Sequence, residues 1–126
     1  MSNASVTTTK KTILVADDNQ GILDVMKLML ERASYNVTTS LDGLGVKNLI
    51  RPLPDLIFLD LLMSGYDGGQ LCKELKAGLL TKDIPIIILS ANGNIKEIAL
   101  ECGANSFLTK PFQMKEMLEI VKEFTT

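Results

Sequence analysis

Four short apolar runs in this sequence end in residues that can do chemistry. Thr12-Ile13-Leu14-Val15-Ala16 stops at Asp17-Asp18-Asn19, and Asp55-Leu56-Ile57-Phe58-Leu59 stops at Asp60. Ile84-Pro85-Ile86-Ile87-Ile88-Leu89 stops at Ser90, and Ser106-Phe107-Leu108-Thr109 stops at Lys110. Three carboxylates brought to one pocket repel one another and invite a hard divalent cation with oxygen ligands. Magnesium favours one or two carboxylates, retained waters and phosphate oxygen, which suits a small open acidic site. An aspartate can attack phosphorus to give an acyl phosphate. A cation and a lysine ammonium beside it would neutralise the transferring oxygens, and a serine hydroxyl would add a hydrogen bond. Each residue also has an ordinary use. Asp17, Asp18, Asn19 and Ser90 precede helical patterns, where such side chains act as caps, and most lysines lie in solvent. Asp60 resists that reading, because a charge at the end of a buried strand needs a partner.

The elements that must position these groups alternate along the chain. The four runs, with Tyr35-Asn36-Val37-Thr38-Thr39 as a β-branched edge strand, give five strands. Helical spacing follows each: Ile22, Val25, Met26, Met29, Leu30 and Ala33 in the first, and Val46, Leu49 and Ile50 before Pro52 in a weaker second. Leu71, Cys72 and Leu75 mark a third ending near Gly78, then Ile95, Ile98, Ala99 and Cys102 a fourth, and Met114, Met117, Leu118 and Val121 a fifth. Such alternation predicts one α/β domain with a parallel sheet covered on both faces. In strand order 2-1-3-4-5 the ends of strands one and three flank the point where the order reverses, where ligands bind. The second strand, whose Thr39-Ser40 end is unremarkable, then lies remote at an edge.

Composition narrows the alternatives. With 126 residues and 46% hydrophobic content, the chain has the size of one globular domain. A formal charge of −2 gives no electrostatic reason to bind nucleic acid or an anionic membrane directly, and no apolar stretch reaches spanning length. The absence of histidine removes His-based acid-base catalysis and most zinc sites. Cys72 and Cys102 lack metal-ligand spacing and read as free, buried thiols of a reducing, cytoplasmic setting. Met1 to Lys11 reads as a flexible arm, its Ser2-Asn3-Ala4 start in part an expression scar.

These residues together resemble the receiver domain of two-component response regulators. The resemblance is carried by Ile13-Leu14-Val15-Ala16-Asp17-Asp18-Asn19, Leu59-Asp60-Leu61-Leu62-Met63 with Asp67-Gly68, Ile86-Ile87-Ile88-Leu89-Ser90-Ala91, and Gly103-Ala104 with Leu108-Thr109-Lys110-Pro111-Phe112. It implies a flavodoxin-like doubly wound (βα)5 fold over residues 12–126. It also implies that Asp60 accepts a phosphoryl group from a phosphohistidine on a sensor histidine kinase or histidine phosphotransfer protein. Asp17, Asp18, Asp60 and the Leu62 backbone carbonyl would hold Mg2+. Ser90 and Lys110 would bind the phosphoryl group, Ser90 and Phe107 would form the switch pair, and Lys110–Pro111 would be cis. Ser64-Gly65 stands where the family usually has a proline, which predicts a more flexible loop beside Asp60. Leu62 and Asn92 lie where the family tunes phosphoryl lifetime, and an apolar Leu62 would limit access of the hydrolytic water.

The expected output is a population shift in the surface of the fourth helix, fifth strand and fifth helix, read by an unidentified downstream protein or domain. Ile95, Lys96, Lys115 and Glu119 are candidate contacts there, with a solvated helical face as the ordinary alternative. The main rival is a Mg2+-dependent phosphatase turning over through an aspartyl phosphate. Such enzymes carry a second acid two residues after the nucleophile, where this sequence has Leu62. A flavodoxin-like cofactor binder would need a hydroxyl- and Gly-rich phosphate loop in place of Asp17-Asp18. A non-phosphorylated interaction domain would normally have lost one of the five site residues. The sequence ends soon after the fifth helix, as in a stand-alone receiver or a piece of a longer regulator or hybrid kinase.

Overall fold

The structure, a computed structural model, describes residues 10–126, so nearly all of the expected arm over residues 1–11 lies outside the described residues. The four apolar runs form β1 (Thr12–Ala16), β3 (Leu56–Asp60), β6 (Ile86–Ser90) and β7 (Ser106–Thr109), and Asn36–Ser40 forms β2. They pair in parallel in the order β2-β1-β3-β6-β7. That is the expected 2-1-3-4-5 order once a small hairpin, β4 (Leu62–Met63) and β5 (Tyr66–Asp67), is set aside.

Both faces of the sheet are covered, which is why its central strands read as unbroken apolar runs rather than as alternation. Ile13, Val15, Phe58, Ile87 and Leu89 face α1 (Gln20–Arg32) and α5 (Met114–Thr125) through Leu23, Met26, Leu30, Met117 and Val121. On the other face, Leu14, Ile57, Leu59, Ile86 and Ile88 meet α3 (Gly68–Ala77) and α4 (Ile95–Cys102) through Leu71, Cys72, Leu75 and Ala99. Every residue of β3 and β6 is buried. Edge strand β2 has no buried residue. The two thiols are free and buried, as expected.

Three expectations need correction. The second helix, α2, is a single turn, Leu44–Lys47: Val46 is buried, but Leu49 lies outside it and Ile50 is 78% exposed. Gly45 and Asn48 are poor helix residues, and Pro52 and Pro54 force the chain to extend. On α1 the buried face runs through Leu23, Met26 and Leu30, while Val25 is 47% exposed and Ala33 is the exposed C-cap. Ile95 belongs to the core at 4% exposure, so of the proposed contacts only Lys96, Lys115 and Glu119 reach solvent.

The segment after Asp60 is more built than a flexible loop. Leu62 pairs with Asp67 and Met63 with Tyr66 across Ser64-Gly65, where Gly65 takes a left-handed φ of 78° that glycine adopts without strain. Asp67 then caps α3 by accepting from the Gly69 and Gln70 amides. Gly68, whose amide bonds the Leu61 carbonyl at 3.0 Å, packs closely against the end of β3. A methyl group there would collide with the Asp60 carbonyl and come within 2.7 Å of Leu61 Cα. Gly68→Ala is therefore expected to lower the unfolding free energy by about 1–3 kcal/mol. Gly93→Ala, at a position with open space around it, should change it by no more than about 0.5 kcal/mol. Urea titration of both variants checks the contrast.

Candidate functional site

The parallel sheet delivers Asp17, Asp60, Ser90 and Lys110 to one edge, because each ends or directly follows a strand running the same way. Backbone bonds lock the strand ends together. The Asp17 amide donates to the Ser40 carbonyl at 3.0 Å, Leu61 to Leu89 at 3.1 Å, and Lys110 to Ser90 at 2.9 Å.

Asp17, Ser90 and Lys110 do not serve their ordinary uses. Asn19 is the N-cap of α1 and accepts from the Ile22 amide at 3.1 Å. Asp17 does not cap; its Oδ1 accepts from the Asn19 amide at 2.9 Å, which turns the chain and holds the carboxylate inward. Ser90 does not cap α4, whose first turn has no side-chain cap. Its Oγ accepts from the Asn92 amide at 3.0 Å, leaving its own O–H proton to donate elsewhere. Lys110 is not a solvated charge. Its ammonium lies 2.7 Å from Asp17 Oδ2 and 3.5 Å from Asp60 Oδ2, with the side chain only 20% exposed.

One oxygen from each of Asp17, Asp18 and Asp60 lies within 4.8 Å of the others. Asp17 and Asp60 are buried and Asp18 stands exposed at the rim. Asp17 Oδ2 is fully buried and has no hydrogen bond; the Lys110 ammonium is its sole charged partner among the described residues. The donor set is all carboxylate, open on one side and electrostatically under-neutralised, which fits a hard divalent cation. Burial, followed by the Asp17 charge, pushes the Asp60 carboxyl up from 3.8 to about 6, while Lys110 and the Leu62 amide hold it down. That amide reaches Asp60 Oδ1 at 3.4 Å.

Leu62 has a 78% exposed side chain and lines a cleft of about 550 Å3 that Ser90 and Asn92 also line. Phe107 lies half-buried opposite Ile88, against the core that faces α4 and outside the acidic cluster. Lys110–Pro111 is cis, as expected. Asn19, one of the cap candidates in the sequence, is the one that caps α1; the close packing of Gly68, present in the sequence only within the Asp67-Gly68 motif, escaped that reading.

The model of the response regulator receiver domain matches residues 13–122. Among curated relatives, the DNA-binding dual master transcriptional regulator RpaA of Synechocystis is 39% identical over 113 residues, covering 87% of this chain and 47% of that protein. Response regulator GtcR of Aneurinibacillus migulanus is 42% identical over 109 residues, covering 84% and 44%. The chain thus spans less than half the length of these relatives. A putative response regulator from Chloroflexus aurantiacus superposes with TM-score 0.85 at 34% identity, covering 93% of this chain and 98% of that one. The receiver domain of sensor histidine kinase PA1611 from Pseudomonas aeruginosa, with magnesium coordinated in its active site cleft, superposes with TM-score 0.83 at 31% identity, covering 93% and 98%.

The raised Asp60 carboxyl makes metal-free stability depend on pH. Between about pH 4 and 6 the native state keeps a proton that the unfolded chain has released, so this contribution is present below the unfolded pKa and lost as pH rises through 6. Asp60→Asn removes the charge. It is expected to stabilise the metal-free protein at neutral pH by about 1–2 kcal/mol, discounted from full linkage because the site opens to solvent. The gain should vanish near pH 4, and calorimetry in chelator across that range checks it.

Proposed function

The chain belongs to the response regulator receiver family of two-component signalling, and from that premise we propose that Asp60 accepts a phosphoryl group from a phosphohistidine. The donor is a sensor histidine kinase or a histidine phosphotransfer protein. The observation that carries this reading is the position of Asp60. It ends a fully buried strand between β1 and β6, with Asp17 and Lys110 against it and its carboxyl otherwise unengaged except by the Leu62 amide.

Asp17, Asp18, Asp60 and the Leu62 carbonyl would hold Mg2+, which when bound neutralises charge on the phosphoryl oxygens. An Asp60 carboxylate oxygen attacks phosphorus; the new P–O bond forms as the P–N bond breaks, and the electron pair stays on the departing imidazole nitrogen. Lys110 is already held within 3.5 Å of Asp60 and pairs with an incoming phosphoryl oxygen. The free O–H proton of Ser90 donates to another. Movement of Ser90, with Phe107 two residues before its β7 neighbour Thr109, then alters the α4–β7–α5 face for a downstream protein or domain.

This is signalling chemistry on the protein itself rather than turnover of a substrate. The phosphatase alternative finds no support, since the second acid it requires is replaced by Leu62. We assign residues 12–126 to the receiver unit and residues 1–11 to an N-terminal arm. Two free buried thiols support a cytoplasmic setting, and no helix among the described residues is long and apolar enough to cross a membrane. RpaA is named as DNA-binding over a length more than twice that matched here. The net charge of −2 gives this chain no overall electrostatic attraction to nucleic acid, which supports a role without direct nucleic-acid contact.

Incubation with acetyl phosphate or phosphoramidate and Mg2+, followed by intact-mass measurement, tests the reading. Wild type should gain one phosphoryl group, and Asp60→Asn or excess chelator should abolish the gain. No gain in wild type, or an equal gain in Asp60→Asn, would overturn it.

A further inference from the structure

The hairpin that carries Leu62 is short, turns through Ser64-Gly65 and lacks a proline, yet it must hold a backbone group beside Asp60. Its second strand supplies Tyr66, half-buried, paired with Met63 and one step from the Leu62–Asp67 pair. The Tyr66 side chain packs against Gly43 in the loop between β2 and α2. A Cβ at Gly43 would collide with the ring and come within 2.6 Å of Tyr66 Cβ and Cδ2. Gly43 has an ordinary helical φ of −74° and ψ of −15°, which any residue can adopt. Its glycine is required by the ring and not by the backbone.

The Lys47 ammonium stands 5.7 Å from the ring centroid, within range of a cation–π attraction. The single turn of α2 brings Lys47 there. The seat under the ring is fixed in turn. Asp42 Oδ1 accepts from the Leu44 amide at 3.0 Å, and the Ser40 hydroxyl donates to the Asp42 carbonyl at 2.7 Å. The Ser40 carbonyl receives the Asp17 amide. Hydrogen bonds thus link Asp17 through Ser40 to Asp42, the chain neighbour of Gly43, and the Met63–Tyr66 pair ties the ring to the strand that carries Leu62.

We propose that Tyr66, seated against Gly43 and the Lys47 ammonium, is a positioning residue that fixes the Leu62 backbone at the phosphoacceptor. It touches none of the reacting atoms; it acts through the hairpin. Its consequence for Mg2+ affinity rests on the reading of the Leu62 carbonyl as a ligand, whereas its consequence for the Leu62 amide does not.

Two measurements separate these. In metal-free protein, Tyr66→Ala is expected to speed hydrogen exchange at the Leu62 amide by about tenfold or more while core strand amides stay protected. With Mg2+ alone as titrant in calorimetry, the same variant should bind about tenfold more weakly. Tyr66→Phe, which keeps the ring, should restore both within about twofold, and Lys47→Met should weaken binding by about two- to fivefold. Gly43→Ala, which displaces the ring without altering it, should reproduce Tyr66→Ala and serves as the second variant if the latter melts near room temperature. An unmoved Leu62 amide in both Tyr66→Ala and Gly43→Ala would overturn the proposal. So would a Tyr66→Phe variant as impaired as Tyr66→Ala. A wild type that binds no Mg2+ strikes at the metal reading, and the Leu62 amide then decides on the positioning role.

Discussion

Two buried carboxylates and one lysine hold this site in balance. Asp17 and Asp60 stand at the ends of neighbouring strands, β1 and β3, whose backbones are fixed by the core on both faces. Neither acid can retreat from the other without breaking the sheet register. Lys110, 2.7 Å from one and 3.5 Å from the other, offsets part of the repulsion, but Asp18 at the rim restores the excess of negative charge. One ammonium cannot neutralise three carboxylates, and burial, followed by the Asp17 charge, raises the Asp60 carboxyl. The site is thus poised for a second cation by the same packing that makes the fold stable.

Much of this was legible because burial on both faces leaves a strong trace. β1, β3, β6 and β7 appear as continuous apolar runs, and their ends, where the chain leaves the core, are where Asp17, Asp60, Ser90 and Lys110 stand out. The 2-1-3-4-5 order was consistent with the one end, Thr39-Ser40, that carries no such group. A half-exposed helix leaves a weaker trace. On α1 the apolar spacing admitted a face through Val25, yet the buried face passes through Leu23, because Val25 and Leu28 are apolar residues left in solvent. The α2 pattern of Val46, Leu49 and Ile50 had helical spacing, but Gly45 and Asn48 break it after one turn.

What the sequence could not convey were facts about room and about pairing at a distance. Two-residue strands such as Leu62–Met63 have no periodicity to detect. Gly43 and Gly68 have unexceptional backbone conformations for their places, and only their neighbours, the Tyr66 ring and the Asp60 carbonyl, reveal why no side chain fits. The assignment of Asn19, rather than Asp17 or Asp18, as the helix cap likewise depends on which side chain turns inward. Three residues of similar capping aptitude stood in a row, and the fold gave the neutral one the structural task.

That division of labour extends to the molecule as a whole. The proposed reacting groups sit on strand ends or the turns after them, and none projects from the outer surface of a helix. The solvent faces of α1, α4 and α5, with Lys27, Lys96, Lys115 and Glu119, can accept substitutions without disturbing a single distance among Asp17, Asp60 and Lys110. Partner choice and the proposed phosphoryl chemistry therefore rest on separate parts of the molecule. A centre of this kind can sit beneath different outer surfaces, with its neighbour set by the helix faces alone.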